Sequence, residues 1–267
     1  MSLRAQWKLP KEHGAWAMVS VSLALGMLVA RQVSGRLILL IISVMALFIA
    51  RESLVAWWRA RQRGRSVPEA ERLARFYLAV ALVTGAPLVL WHHLLGLVPL
   101  GLLAGVLLLL NLRQAESLED RTVLGEILAI TGLTLAAPAA YYVARGRWES
   151  TALWLWVLSA LYFTSSVFYV KLRVLSAGRR REEAQRSVWR QCLFYHSFLL
   201  AALVLLAVTG RVNLFVLCAF VPILARTLWA LLRPVRWLNL TRIGILEIVY
   251  SLIFLVFLTL GFSPPAQ

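Results

Sequence analysis

The sequence predicts an all-α polytopic membrane protein, a bundle of nine transmembrane helices, and three observations carry that prediction. Hydrophobic residues make up 61% of the 267-residue chain, and the mean hydropathy is +0.77. The apolar residues fall into nine runs that approach the roughly 20 residues a bilayer helix needs. The third observation is the placement of charge: 28 Lys and Arg stand against 12 Asp and Glu, and threading the nine runs through a bilayer sorts the basic residues to one side.

The runs are Gly14 to Ala30, Leu37 to Ala50, Phe76 to Trp91, Leu94 to Leu110 and Thr122 to Val143, then Thr151 to Val170, Cys192 to Thr209, Val212 to Leu232 and Ile243 to Phe262. Each ends at charge or at turn-forming residues. With the N-terminus inside, 23 Lys and Arg fall on one face, and Arg31, Arg36, Arg145, Arg147 and Arg211 are the five left on the other. Cytoplasmic loops retain Lys and Arg, so the N-terminus is expected in the cytoplasm and the Ser-Pro-Pro-Ala-Gln tail outside. Arg4, Lys8 and Lys11 precede the first run without a small-residue cleavage site, so the first helix is expected to stay. The location expected is the bacterial cytoplasmic (inner) membrane, crossed several times.

One membrane domain over 1–267 is expected, with two long polar cytoplasmic loops at about 52–75 and 171–191. In the first, Ser66 followed by Pro68 and Glu69 reads as a helix start. A net charge of +16 would point to nucleic acid in a soluble protein; here it lies in short loops beside membrane helices, where anionic headgroups attract it. Membrane lipids are the expected partners and nucleic acid is not. Cys192 and Cys218 lie in apolar runs without CxxC or metal spacing, so they read as packing residues, and no metal or cofactor is expected.

Ionisable groups at lipid depth are costly and tend to face the bundle interior, so polar residues in the runs are the candidate site. Lys11 and His13 lead into the first run through Gly14. Ser165, Ser166 and Tyr169 share one helix face, with Lys171 stacked one turn from Val167 and flanking that face. Arg226 follows Pro222 by one turn, and Glu247 is a lone carboxylate in the last run. A carboxylate there needs a partner, and Arg226 or Lys171 is the expected one. Asn111, Glu126 and His196 are secondary candidates.

The segments Lys-Glu-His-Gly-Ala-Trp-Ala-Met from Lys11, Phe-Tyr-Val-Lys at 168–171 and Ile-Gly-Ile-Leu-Glu-Ile at 243–248 resemble the YwiC-like family of bacterial membrane proteins. Weaker matches lie at Asn111, His196, Pro222 to Arg226 and Arg242. That resemblance implies a membrane architecture and carries no molecular activity with it. A more distant resemblance is to the UbiA-type intramembrane prenyltransferases. It implies nine helices and a cytoplasm-facing cavity under the loops after helices 2 and 6. The segment from Thr122 to Gly132 is similar to the glycine-bearing fifth helix of those enzymes, and Ser166-Val-Phe-Tyr169 stands where they carry Asp-x-x-Tyr.

The departure from that pattern decides the chemistry. Those enzymes hold Mg²⁺ with two Asp-rich motifs, whereas Asp120 is the one aspartate of this chain, and Arg51-Glu52 stands at the helix 2 motif. A cavity that lacks those carboxylates but keeps Lys11, His13, Lys171 and Arg226 would bind an anion directly. The leading expectation is therefore a cytoplasm-facing cavity for an anionic amphiphile, an isoprenoid or lipid phosphate. Any enzyme activity would be that of a prenyltransferase-like catalyst without the Asp/Mg²⁺ site. A small-anion permease and a non-catalytic accessory or assembly factor of a membrane complex are the alternatives.

Overall fold

The computed structural model describes residues 13–116, 123–177, 182–233 and 240–262, with the backbone alone at 13, 114–116, 177 and 240. Among the described residues there are ten helices and no strand: α1 (His13–Ala30), α2 (Arg36–Gln62), α3 (Pro68–Leu90), α4 (Leu97–Glu116), α5 (Val123–Thr134), α6 (Ala136–Arg145), α7 (Ser150–Ala177), α8 (Glu182–Val208), α9 (Leu214–Leu232) and α10 (Leu240–Gly261). Seven helical stretches are long and apolar enough to cross a membrane, with Val123–Arg145 counted as one, and Gly14–Ala30 and Leu97–Arg113 are shorter apolar helices. Together they are the nine expected segments. Even α1, with 18 residues, reaches about 27 Å at the α-helical rise, close to the thickness of the hydrocarbon core.

Helices run on into both polar stretches. α2 continues to Gln62, with Arg59 and Arg61 in its last turn, where cations complement the helix dipole. The chain then reverses at Gly64, whose φ of +63° is open to glycine without strain. α3 starts with Pro68 in its first turn and with Glu69 and Glu71 beside it, the arrangement favoured at a helix N-terminus. Its N-cap is Val67 rather than Ser66. α7 reaches Ala177 and α8 begins at Glu182, so the second polar stretch is also largely helical.

The fifth run is broken into α5 and α6 at Leu135. Pro138 lies in the first turn of α6; it has no N–H for the carbonyl of Thr134, and its ring crowds that turn. The Thr134 hydroxyl donates back to Ile130 O at 2.9 Å.

The helices group into two compact units, residues 1–153 and 154–267. In the first, α2 packs along α3, α1 along α6, and α4 against α5 and α2. Small residues let backbones meet, as is usual between membrane helices. A Cβ added at Gly26 of α1 would lie 2.2 Å from the Ala137 carbonyl and 2.8 Å from Ala140 Cβ of α6. Across α2 and α3, Ser43 Oγ donates to Ala81 O at 3.0 Å beside Gly85.

In the second unit α9 packs on α10 and α8. Tyr162 of α7 stacks on Phe254 of α10 at 4.0 Å between ring centroids, with Phe220 of α9 against both. Asn213 accepts from Val216 N as the N-cap of α9 and donates through Nδ2 to Gly261 O at 2.6 Å. It thereby ties the end of α10 to the start of α9.

Candidate functional site

Two constructions stand out, one in each unit. In the second unit four of the expected site residues meet. Arg226 on α9 forms an ion pair with Glu247 on α10. Its Nη2 donates to Ser166 Oγ on α7 at 3.2 Å, and its guanidinium lies 4.4 Å from the Tyr169 ring centroid and 5.1 Å from that of Tyr250. Arg226, Ser166 and Tyr169 are buried. A guanidinium between two aromatic faces gains from their quadrupoles, and the carboxylate balances its charge, so this cluster is internally neutral.

Beside it runs a hydroxyl–imidazole network. His196 on α8 places Nε2 2.8 Å from Ser165 Oγ and 3.2 Å from Thr227 Oγ1, and Nδ1 2.8 Å from the carbonyl of Cys192. A carbonyl only accepts, so Nδ1 carries the proton and in the neutral ring Nε2 accepts from Ser165. Thr227 donates to Ile223 O at 2.8 Å. Ser165 is fully buried, so this network joins α7, α8 and α9 rather than presenting a nucleophile.

Glu247 pairs with Arg226 rather than with Lys171, which is half-buried on α7. Two residues from Tyr169, Lys171 stands about 200° around the helix from it. Lys11 lies outside the described residues, as does the side chain of His13. Tyr250 and Thr227 went unnoticed at the level of sequence, although Tyr250 is one turn from Glu247 and Thr227 adjoins Arg226. Among the described residues no group of three or more His, Cys, Asp and Glu is placed to hold a metal ion.

The second construction is a cavity of about 570 Å³ in the first unit, lined by α1 to α6. Its lining is apolar except for Ser43, Arg51 and Asn111. Ser43 has given its hydroxyl to Ala81 O. Arg51 and Asn111 meet at one end, with Arg51 Nη2 donating to Asn111 Oδ1 at 3.1 Å and Asn111 Nδ2 to Gly125 O at 3.2 Å. Arg51 also reaches Glu52 at 3.1 Å. Asn111, expected as a secondary candidate, thus orients a guanidinium at the mouth of an apolar space. Glu126 follows Gly125 on α5 and is half-buried.

Helices of this length and apolarity, carrying buried charge at lipid depth, define a polytopic α-helical membrane protein. Residues 9–141 match the pattern of the YwiC-like family. The chain is also similar to an uncharacterized protein of Haemophilus influenzae, 22% identical over 250 residues that cover 94% of this chain and 96% of that one. No solved structure matches. The family match takes in α1 to α5 and the start of α6, and with them the cavity. The segments at 168–171 and 243–248 lie beyond it.

Proposed function

We propose that the protein holds an anionic, single-chain amphiphile, an isoprenoid or lipid phosphate, with its tail in the cavity of the first unit and its head at Arg51. The observation that carries this reading is the segregation of the lining: Arg51 and Asn111 at one end, and elsewhere hydrocarbon apart from Ser43, whose hydroxyl is engaged with Ala81 O. A volume of about 570 Å³ is ordinary for a ligand site. From Leu97 to Asn111 on α4 the cavity runs about 21 Å at the α-helical rise. That makes the space long and narrow, the shape of an extended tail.

Arg51 can serve the head. Of its five N–H donors, one goes to Glu52 and one to Asn111. The pair with Glu52 is partly exposed, 22% and 36% for the two side chains, and such pairs are worth about 1 kcal/mol or less. A phosphate can outbid it by bidentate pairing. Arg226, by contrast, has its charge matched within its own unit. We take the Arg51 end to face the cytoplasm, a reading the distribution of Lys and Arg supports, and the membrane to be a bacterial inner one. The reading does not need the UbiA-type likeness, and an ion pathway would ask for a more polar lining than this.

Thermal unfolding in detergent tests the reading. An isoprenyl monophosphate should raise the melting temperature without added Mg²⁺, the matching isoprenol should do so much less, and Arg51→Met should erase the difference; ligand at 100 times Kd stabilises by about 2.7 kcal/mol. Equal shifts with phosphate and alcohol, or none with either, would overturn it.

A further inference from the structure

We infer that the amphiphile reaches this cavity sideways from the bilayer, between α3 and α4, and that Gly101 and Gly105 set the width of chain admitted. This deepens the proposed function and rests on it. α3 and α4 are consecutive and both line the cavity, α3 through Leu78, Leu82 and Gly85 and α4 through Gly101, Ala104 and Gly105. Yet they scarcely touch, because each packs on α2 instead.

The other walls are fastened. α2 and α3 are joined by the Ser43 hydrogen bond to Ala81 and by the close approach at Gly85. α1 and α6 meet at backbone distance at Gly26, and α4 and α5 are joined through Asn111 and Gly125. The end far from Arg51 is covered by the connection from α3 to α4, where Gly96 N donates to Tyr142 Oη at 3.1 Å and Gly96 sits against the Tyr142 ring. Leu82, 69% exposed, Leu78 and Gly101 both line the cavity and stand exposed at the gap, and the other exposed lining residue, Leu47 at 45%, is on α2, the helix against which α3 and α4 both pack. In a bilayer that gap faces acyl chains, so a tail passes through it without crossing water.

Gly101 and Gly105 are one turn apart on the cavity face of α4, and a Cβ added at either meets no atom within 4 Å. That distinguishes them from Gly26 and Gly96, where added atoms collide with a neighbouring helix or ring. The space left by the two glycines is therefore not needed for helix packing. It widens the groove at the gap, and a side chain there would narrow it while leaving the fold intact.

The test uses the full chain in nanodiscs and the isoprenyl monophosphate as probe. Gly101→Phe and Gly105→Phe should melt within a few degrees of the parent without probe, yet lose at least ten-fold in probe affinity, while Gly101→Ala retains binding. Arg51→Met should lose the preference for phosphate over alcohol but still take up the tail. If both Phe variants bind as the parent does while Arg51→Met loses its preference, the doorway is wrong and the proposed function stands. If the parent binds no probe, the proposed function itself fails and the doorway with it.

Discussion

Arg226 and Glu247 show how a single pair can be costly to break and cheap to replace. Removing one partner strands a charge at lipid depth, a loss of about 3–5 kcal/mol for a buried pair. Removing both leaves an apolar contact between α9 and α10. Arg226→Met should therefore destabilise strongly, and the double variant Arg226→Met/Glu247→Leu should recover most of the loss in chemical unfolding. Additive losses in the double variant would show that the pair does not act as a unit.

Glu149 sits outside the membrane-spanning segments, just before α7, and has a different role. The Tyr141 hydroxyl donates to one of its oxygens, while Arg147 and Arg145 donate to the other. In that order of importance the Tyr141 hydrogen bond and then the arginines hold its carboxyl down at about 2, well below 4.5. A depressed carboxylate contributes stability that is complete above its unfolded value and is lost as pH falls through the folded one. The parent should exceed Glu149→Gln by an amount on the order of 1–3 kcal/mol at neutral pH. That gap should close between about pH 4.5 and 2. A gap that persists unchanged at pH 3 would contradict this assignment.

Among the elements, the contact of α1 with α6 is the least tolerant. A Cβ at Gly26 would stand 2.2 Å from a backbone carbonyl, which cannot rotate away, so Gly26→Leu should cost several kcal/mol by forcing two helices apart. Melting temperature after detergent extraction reads this directly, and a variant as stable as the parent would refute the close packing. Asn213→Ala should cost about 1–2 kcal/mol through loss of the α9 cap and of the tie to Gly261.

The element boundaries show what a sequence reveals and what it hides. Apolar run length located every span, because the bilayer fixes that length. It misplaced the ends of α2 and α7: Arg, Gln, Leu and Ala continue a helix well in water, so hydropathy stops where the helix does not. The break at Leu135 was visible in Pro138, which the run of apolar residues around it outweighed.

At the scale of the whole molecule the same contrast separates the two sites. The Arg226–Glu247 pair was legible because a lone carboxylate in an apolar run demands a partner. The cavity was not, because leucines and glycines that line a groove look the same in sequence as those that face lipid. Arg51 stood out as a departure from an enzyme motif, yet only its approach to Asn111 across α2 and α4 gives it a place. The charge distribution predicts an orientation: Arg63→Cys should react with an impermeant thiol reagent from the cytoplasmic side and Arg211→Cys from the opposite side. Labelling of both from one side would overturn the topology.

The central claim is that one anionic single-chain amphiphile occupies the cavity with its head on Arg51. Native mass spectrometry of protein extracted gently from its membrane tests it most directly. The account predicts one tightly held ligand per chain, a phosphate-bearing single-chain lipid by fragmentation, absent or exchanged for neutral lipid in Arg51→Met. An unliganded parent, or identical lipid complements in the parent and in Arg51→Met, would contradict it.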